Sequence, residues 1–339
     1  MNSSPIDLIK TTISHEEPER VPVLPLVGLL SAKLSNESTL ELLRNPDVQA
    51  KSLLHSMEKF GYDGVFTVMD LTVESEALGA EIEYGSDRFP YVSRHPLNDL
   101  SEVSDLNIYS SEESRLSVFV GVTERLRQSI GNTHLVSSYV VGPFTLAGQL
   151  FGVSTILERT VDDSDSVKRC IHDCTRLLQP YITDLIDAGA HNIVILEPTA
   201  SNNVISPQYF EEYCSPYVRD MIESIQSAGA IATLHICGDT NRIIGNMCDT
   251  GANALSIDSA VNLVQAKRVA RNKSTLIGNV DTTLLLRGTH QEVLNAANEC
   301  LEAASKGGGF ILSSGCDFPI ETPPANLEAL VQAATTHVA

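Results

Sequence analysis

Short runs of β-branched and apolar residues return eight times along this chain, separated by longer stretches of helical periodicity. The runs are Val21 to Val27, Gly64 to Met69, His134 to Val140, Asn192 to Glu197, Ile231 to Cys237, Ala254 to Asp258, Thr275 to Asn279 and Gly309 to Ser313. Strands that alternate with helices run parallel, because each helical crossover returns the chain to the same end of the sheet. Eight such units predict an α/β chain folded as a (β/α)8 TIM barrel. A length of 339 residues would hold two average domains, yet a barrel fills it as one. No repeat, low-complexity tract or linker divides the chain, so a single domain over 1–339 is expected, with an N-terminal extension. Glu81 to Tyr84 and Phe89 to Val92 flank Gly85-Ser86-Asp87, which predicts a small hairpin inserted between the second and third strands.

The helical stretches agree with this count. Val167, Cys170, Ile171, Cys174, Leu177, Leu178, Tyr181, Ile182 and Leu185 recur at spacings of three and four, which draws one apolar stripe on a long helix with a kink expected near Pro180. Cys170 and Cys174 fall within that stripe and read as core; His172 lies off it and reads as solvated. Ser206-Pro207 opens another helix with a cap and a proline in its first turn. Asp239 or Thr240 is expected to cap the helix that Gly251 ends. The acidic pairs Glu112-Glu113 and Asp162-Asp163 stand near helix starts, where they complement the macrodipole.

Charge and cysteine usage narrow the function. The 43 acidic and 23 basic residues leave a net charge of −20, and the basic residues read as dispersed. Such a chain repels phosphate backbones and anionic lipid, so nucleic acid and membrane partners are not expected. Apolar runs such as Val21 to Leu30 are broken by proline and glycine, too short to span a bilayer. Met1 to Lys10 lacks the cationic start and long apolar stretch of a signal peptide, and a cytoplasmic location is expected. Seven scattered cysteines form an odd set, unlike a disulfide framework, and read as reduced thiols.

The chemistry gathers at strand ends. In the run Ile231 to Cys237, alternation sends Leu234 and Ile236 toward the helices and Thr233, His235 and Cys237 inward. An imidazole and a thiol two residues apart therefore enter one site at the C-terminal end, where barrel enzymes work. Cys316 follows the last strand at the same rim. One imidazole and two thiols are ligand types that zinc accepts while keeping a fourth position open. Taken singly, such residues are more often a satisfied core histidine and small buried thiols, and H-x-C with one remote cysteine is a weak metal spacing. Glu197, Asp258, Asn279 and Asp70 also end strands. Each reads either as a site residue or as a polar group satisfying loop backbone.

Several segments together carry a resemblance. They are Glu19-Arg20-Val21-Pro22-Val23, Glu76-Ala77-Leu78-Gly79-Ala80, Gly142-Pro143-Phe144-Thr145-Leu146-Ala147, His235-Ile236-Cys237-Gly238-Asp239, Leu255-Ser256-Ile257-Asp258, Ile277-Gly278-Asn279-Val280-Asp281, Ser314-Gly315-Cys316 and Thr322-Pro323-Pro324-Ala325-Asn326. In this order the chain resembles the uroporphyrinogen decarboxylase superfamily, and within it the corrinoid methyltransferases of the methylcobalamin:coenzyme M type. The resemblance implies a zinc ion held by His235, Cys237 and Cys316. It implies an enzyme that moves a methyl group from a methylated corrinoid to a small thiol such as coenzyme M. Glu197, where the family often has aspartate, would be a fourth ligand, a base behind the ligands or a structural carboxylate. Asp258 and Asn279 join it as candidate catalytic residues, and Asp70 and Tyr139 are the positions expected to meet the corrinoid. No Asp-x-His-x-x-Gly run of a cobalamin-binding domain is present, so the methylcobalamin is expected to arrive on a separate corrinoid protein.

Other readings on the same fold are a tetrahydrofolate-dependent transferase, a transferase that loads the corrinoid from a methylated substrate, a metal-free decarboxylase and a non-catalytic corrinoid-binding scaffold. The decarboxylase branch uses an arginine-rich segment after the first strand to meet a polycarboxylate. Here that segment, Leu24 to Lys33, contains no arginine.

Overall fold

The computed structural model describes residues 3–85, 88–109 and 114–337. Its parallel strands are β1 (Gly64–Phe66), β4 (Leu135–Val141), β5 (Asn192–Leu196), β6 (Ile231–Ile236), β7 (Ala254–Ile257), β8 (Thr275–Val280) and β9 (Phe310–Ser314), hydrogen-bonded in that order. The short pair β2 (Glu81–Glu83) and β3 (Tyr91–Arg94) forms the antiparallel hairpin expected between the second and third runs, here between β1 and β4. Its tip, Ser86-Asp87, and the acidic pair Glu112-Glu113 lie outside the described residues.

The first expected strand differs. Val21 to Val27 occupies the seam between β9 and β1, but it forms a single parallel bridge, Val23 to Leu312, rather than a ladder. Pro22 and Pro25 have no N–H to donate, which breaks the run of strand hydrogen bonds. The seam closes by other means. Leu24 N–H donates to Leu312 and Leu312 N–H to Pro22, both at 2.9 Å, and Asp63 N–H reaches Val23 at 3.0 Å. The buried Asp63 carboxylate accepts from Val23 N–H at 2.8 Å and from both terminal nitrogens of Arg20 at 2.7 and 2.6 Å. The eighth stave is thus pinned by a bidentate ion pair.

Two cores result. Leu234, Ile236, Leu255, Ile257 and Leu312 pack outward against the helices, whereas Leu26, Phe66, Val194, Leu196, Ile277 and Ile311 fill the barrel. Strand alternation thus sorts the side chains as the sequence pattern predicts. The N-terminal extension is the helix Pro5–Ile13, capped by Ser4. Ile9 and Ile13 pack into the inner core and plug the barrel's N-terminal end.

The long helix Ser164–Asp187 buries Val167, Cys170, Ile171, Cys174, Leu178, Tyr181, Ile182 and Leu185, while Leu177 is partly buried. His172 is exposed. The capping at 239–240 departs from expectation: the helix Ile244–Asp249 starts later, without a side-chain cap. Asp239 instead folds back on its own loop, accepting from Asn241 N–H at 2.9 Å. No described helix is long and apolar enough to cross a membrane.

Candidate metal centre at the barrel mouth

His235 stands near the end of β6 and faces the interior, for its register partners are Leu196 of the inner core on one side and Ser256 on the other. The next inward residue is Cys237. Cys316 arrives from the turn after β9, where Gly315 lets the chain pass close to the end of β7; a Cβ there would lie 2.6 Å from Ser259 N. The result is a triangle of donor atoms. His235 Nε2 lies 2.9 Å from Cys237 Sγ and 3.8 Å from Cys316 Sγ, and the two sulfurs are 3.3 Å apart. Among the described residues these three side chains form the group arranged to hold a metal ion.

The donor set fits zinc. With Zn–S of about 2.3 Å and Zn–N of about 2.0 Å, tetrahedral ligand atoms stand roughly 3.5–3.8 Å apart, so the triangle needs only a slight opening. His235 Nδ1 contacts Ser256 Oγ at 2.9 Å and the Ser256 carbonyl at 3.2 Å. A proton on Nδ1 satisfies that carbonyl and leaves the Nε2 lone pair toward the sulfurs, the arrangement that orients ligating histidines. The hydrogen bond between the thiols splits their acidities: Cys316 is held well below the ordinary cysteine range and Cys237 well above it.

The other expected site residues occupy distinct places. Glu197 is fully buried, and its carboxylate accepts from Phe144 N–H at 3.1 Å, from Thr145 N–H at 2.6 Å and from the Thr145 hydroxyl. It thereby binds the start of the helix Pro143–Phe151, and it stands outside the donor triangle. Burial pushes its carboxyl up to about 7 against the pull of those donors. Asp258 ties rim loops together, accepting from Gly238 N–H at 2.9 Å and Ala260 N–H at 3.0 Å. Asn279 donates to the carbonyls of Asp258 and Val261 at 2.9 and 3.0 Å. Asp258 thus holds the turn after Cys237, and Asn279 holds the loop that carries Asp258.

Asp70 is engaged in the loop after β1. Its carboxylate pairs with Arg115 and accepts from Thr72 N–H at 2.8 Å and the Thr72 hydroxyl at 2.7 Å, while Arg115 Nε reaches Glu76 at 2.6 Å. Tyr139 lies inside the barrel, its ring stacked on Phe66 with centroids 5.8 Å apart. Its buried hydroxyl has no hydrogen-bond partner, and burial, then Asp317, Cys316 and Cys237, raise it well above the ordinary tyrosine range. It forms the floor beneath the cysteines.

Sequence reading passed over Ser256, Arg115 and Asp317. Only Asp317, next to Cys316, could have been found locally. Both its oxygens are buried without a hydrogen bond of good geometry, and burial and Cys316 push it well above its ordinary range, offset a little by the nearby Leu29 amide.

Beside this network, buried Glu74 accepts from Val141 N–H at 2.8 Å. Burial raises its carboxyl to about 8. A carboxyl that holds its proton more tightly in the folded state favours folding at low pH and loses that advantage as pH rises through the folded value. Stability should therefore fall between about pH 5 and about 8, and Glu74→Gln, which keeps an acceptor for Val141, should flatten that limb in urea titrations.

The chain belongs to the uroporphyrinogen decarboxylase family, whose model matches residues 4–337. Among proteins of this family, it is 29% identical to the methylcobamide:CoM methyltransferase MtbA of Methanosarcina mazei, over 82% of this chain and 80% of that one. It is 27% identical to the methylcobamide:CoM methyltransferase MtaA of Methanosarcina barkeri, over 93% of each. A solved methyltransferase from Methanosarcina mazei superposes with a TM-score of 0.90 at 27% identity, covering 98% of this chain and 99% of the other.

Proposed function

We propose that this protein transfers a methyl group from a methylated corrinoid to a small thiol, using zinc held by His235, Cys237 and Cys316. The observation that carries this reading is the convergence of one imidazole and two thiols at the C-terminal mouth of the barrel. When bound there, zinc supplies an open coordination position at which a thiol loses its proton near neutral pH. Ser256 keeps the imidazole turned toward the sulfurs, Asp258 and Asn279 fasten the loops that carry them, and the Tyr139 ring closes the floor. Glu197 acts by holding the helix Pro143–Phe151 against the barrel.

The methyl group leaves cobalt without the bonding electron pair and joins the acceptor sulfur. The corrinoid departs as Co(I), and the thiol proton leaves to solvent. The alignment of sulfur and methyl is the protein's contribution, the activated methyl being the corrinoid's. Relatives with coenzyme M in their names make that thiol the first acceptor to try, with the corrinoid delivered by a separate protein. Seven free cysteines suit work in a reducing cytoplasm.

Zinc-loaded protein incubated with methylcobalamin and a panel of thiols should show thiol-dependent loss of the methyl–cobalt absorption. Tetrahydrofolate in the same panel separates that acceptor, and a methylated donor with Co(I) corrinoid separates loading from unloading. No acceptor-dependent demethylation with any of them would overturn the reading.

A further inference from the structure

The end of the barrel opposite the metal centre gathers basic side chains that form no ion pair among the described residues. The helix Leu263–Ala270 carries Lys267 and Arg268 in its last turn, and Arg271 follows it. Lys306, from the turn before β9, and His15, after the N-terminal helix, complete a hollow of about 430 Å³ that has no carboxylate in its lining. This cluster corrects the expectation of dispersed basic residues, for three separate segments build it.

Its cations lack carboxylate partners among the described residues. Among the described residues none of Lys267, Arg268, Arg271 and Lys306 makes an ion pair, although the chain holds 43 acidic residues. The nearby Lys273, by contrast, pairs with Asp249 at 2.9 Å. Glu17, at the edge of this region, is engaged by Gly307 N–H at 2.9 Å. Complementing the helix macrodipole accounts for one or two basic residues on the last turn. It does not account for Lys306 and His15, which belong to other elements.

The backbone is shaped around these charges. The Lys267 ammonium donates to the Gly308 carbonyl. A Cβ on Gly309 would lie 2.8 Å from His15 Nδ1 and 3.7 Å from Lys267 Nζ, so the imidazole and the ammonium crowd a position that suits glycine. Burial, then Arg271, lowers Lys267 to about 8, and burial, then Lys267, lowers His15. Burial sets most of both shifts, and a neighbouring cation adds to each.

We propose that this hollow binds a small phosphate-bearing anion, with Arg268 and Arg271 as its forked donors and Lys267 and Lys306 as point charges. Guanidinium pairs match phosphate oxygens bidentately, and exposed Val264 offers an apolar wall for an organic portion. The size of the ligand follows from the charge of the whole chain. Screening over about 8 Å lets a compact anion feel the local cations alone, whereas a nucleic acid or a bilayer would also lie over the acidic surroundings of a chain carrying −20. The site is independent of methyl transfer.

Calorimetric titration of the full chain with inorganic pyrophosphate at low ionic strength tests the proposal. Binding is expected in the wild type, and it should weaken at least about tenfold, or 1.4 kcal/mol, in the R268A/R271A double variant. Both arginines are exposed, so the variant should keep its thermal unfolding midpoint and its zinc content. No binding of millimolar pyrophosphate by the wild type overturns the proposal. So does undiminished affinity in R268A/R271A, which would place the anion elsewhere.

Discussion

With zinc held as proposed, Cys316→Ala is expected to release the ion and abolish thiol-dependent demethylation while leaving the barrel folded. Losing an outer partner of a ligating histidine costs about 10–100-fold in metal affinity, so losing a ligand outright should cost more than the upper figure. Competition against a chromophoric chelator measures the affinity, and the methylcobalamin assay measures the turnover. The residue is removable because Cys316 is only partly buried, on a turn whose backbone is held separately by the hydrogen bond from Gly315 N–H to the Val280 carbonyl at 2.8 Å. Glu197→Gln is the informative contrast. Its carboxylate is committed to Phe144 and Thr145, so the variant should lose stability and retain zinc. Stoichiometric zinc and full activity in Cys316→Ala would sink the ligand assignment.

Arg115→Met is expected to be strongly destabilising. The Arg115 side chain is 5% exposed and its partner Asp70 is fully buried. Deleting the guanidinium strands Asp70 beside Glu76 in a medium that solvates neither well, and breaking a buried pair in this way costs about 3–5 kcal/mol. The comparison is Arg94→Met. That residue pairs with Glu81 at 2.7 Å, but both side chains are more than half exposed, and such pairs contribute about 0–1 kcal/mol. Urea titrations at fixed zinc concentration read both changes as midpoint shifts. Equal shifts for the two variants would show that the Arg115 network carries no special load. The network braces the segment between β1 and the inserted hairpin, at the mouth's edge, so loss of Arg115 should also loosen the entrance.

The staves, the inward direction of His235 and Cys237, and the long amphipathic helix were legible because each depends on a period of two or of 3.6 residues, a property of peptide geometry alone. The broken stave at Val21 to Val27 was legible in part: apolar content marked it as a strand, while Pro22 and Pro25 removed the donors that a ladder needs. The split between structural and chemical carboxylates was not legible. Glu197 and Asp258 follow strands directly, and Asp70 lies in the loop after β1, a strand shorter than the expected Gly64 to Met69. Their partners lie on segments up to 53 residues away.

What the sequence alone determined was therefore the α/β barrel class, the family resemblance and the donor types, all written in local order. Tertiary structure alone decided that Cys316 meets residues some 80 positions earlier, that Ser256 orients His235, that Arg115 neutralises Asp70, and that separate basic segments join at the far end of the barrel. The reason is physical. Periodicity is set within a few residues by the covalent chain, whereas convergence and charge pairing are set by which staves become neighbours when the barrel closes.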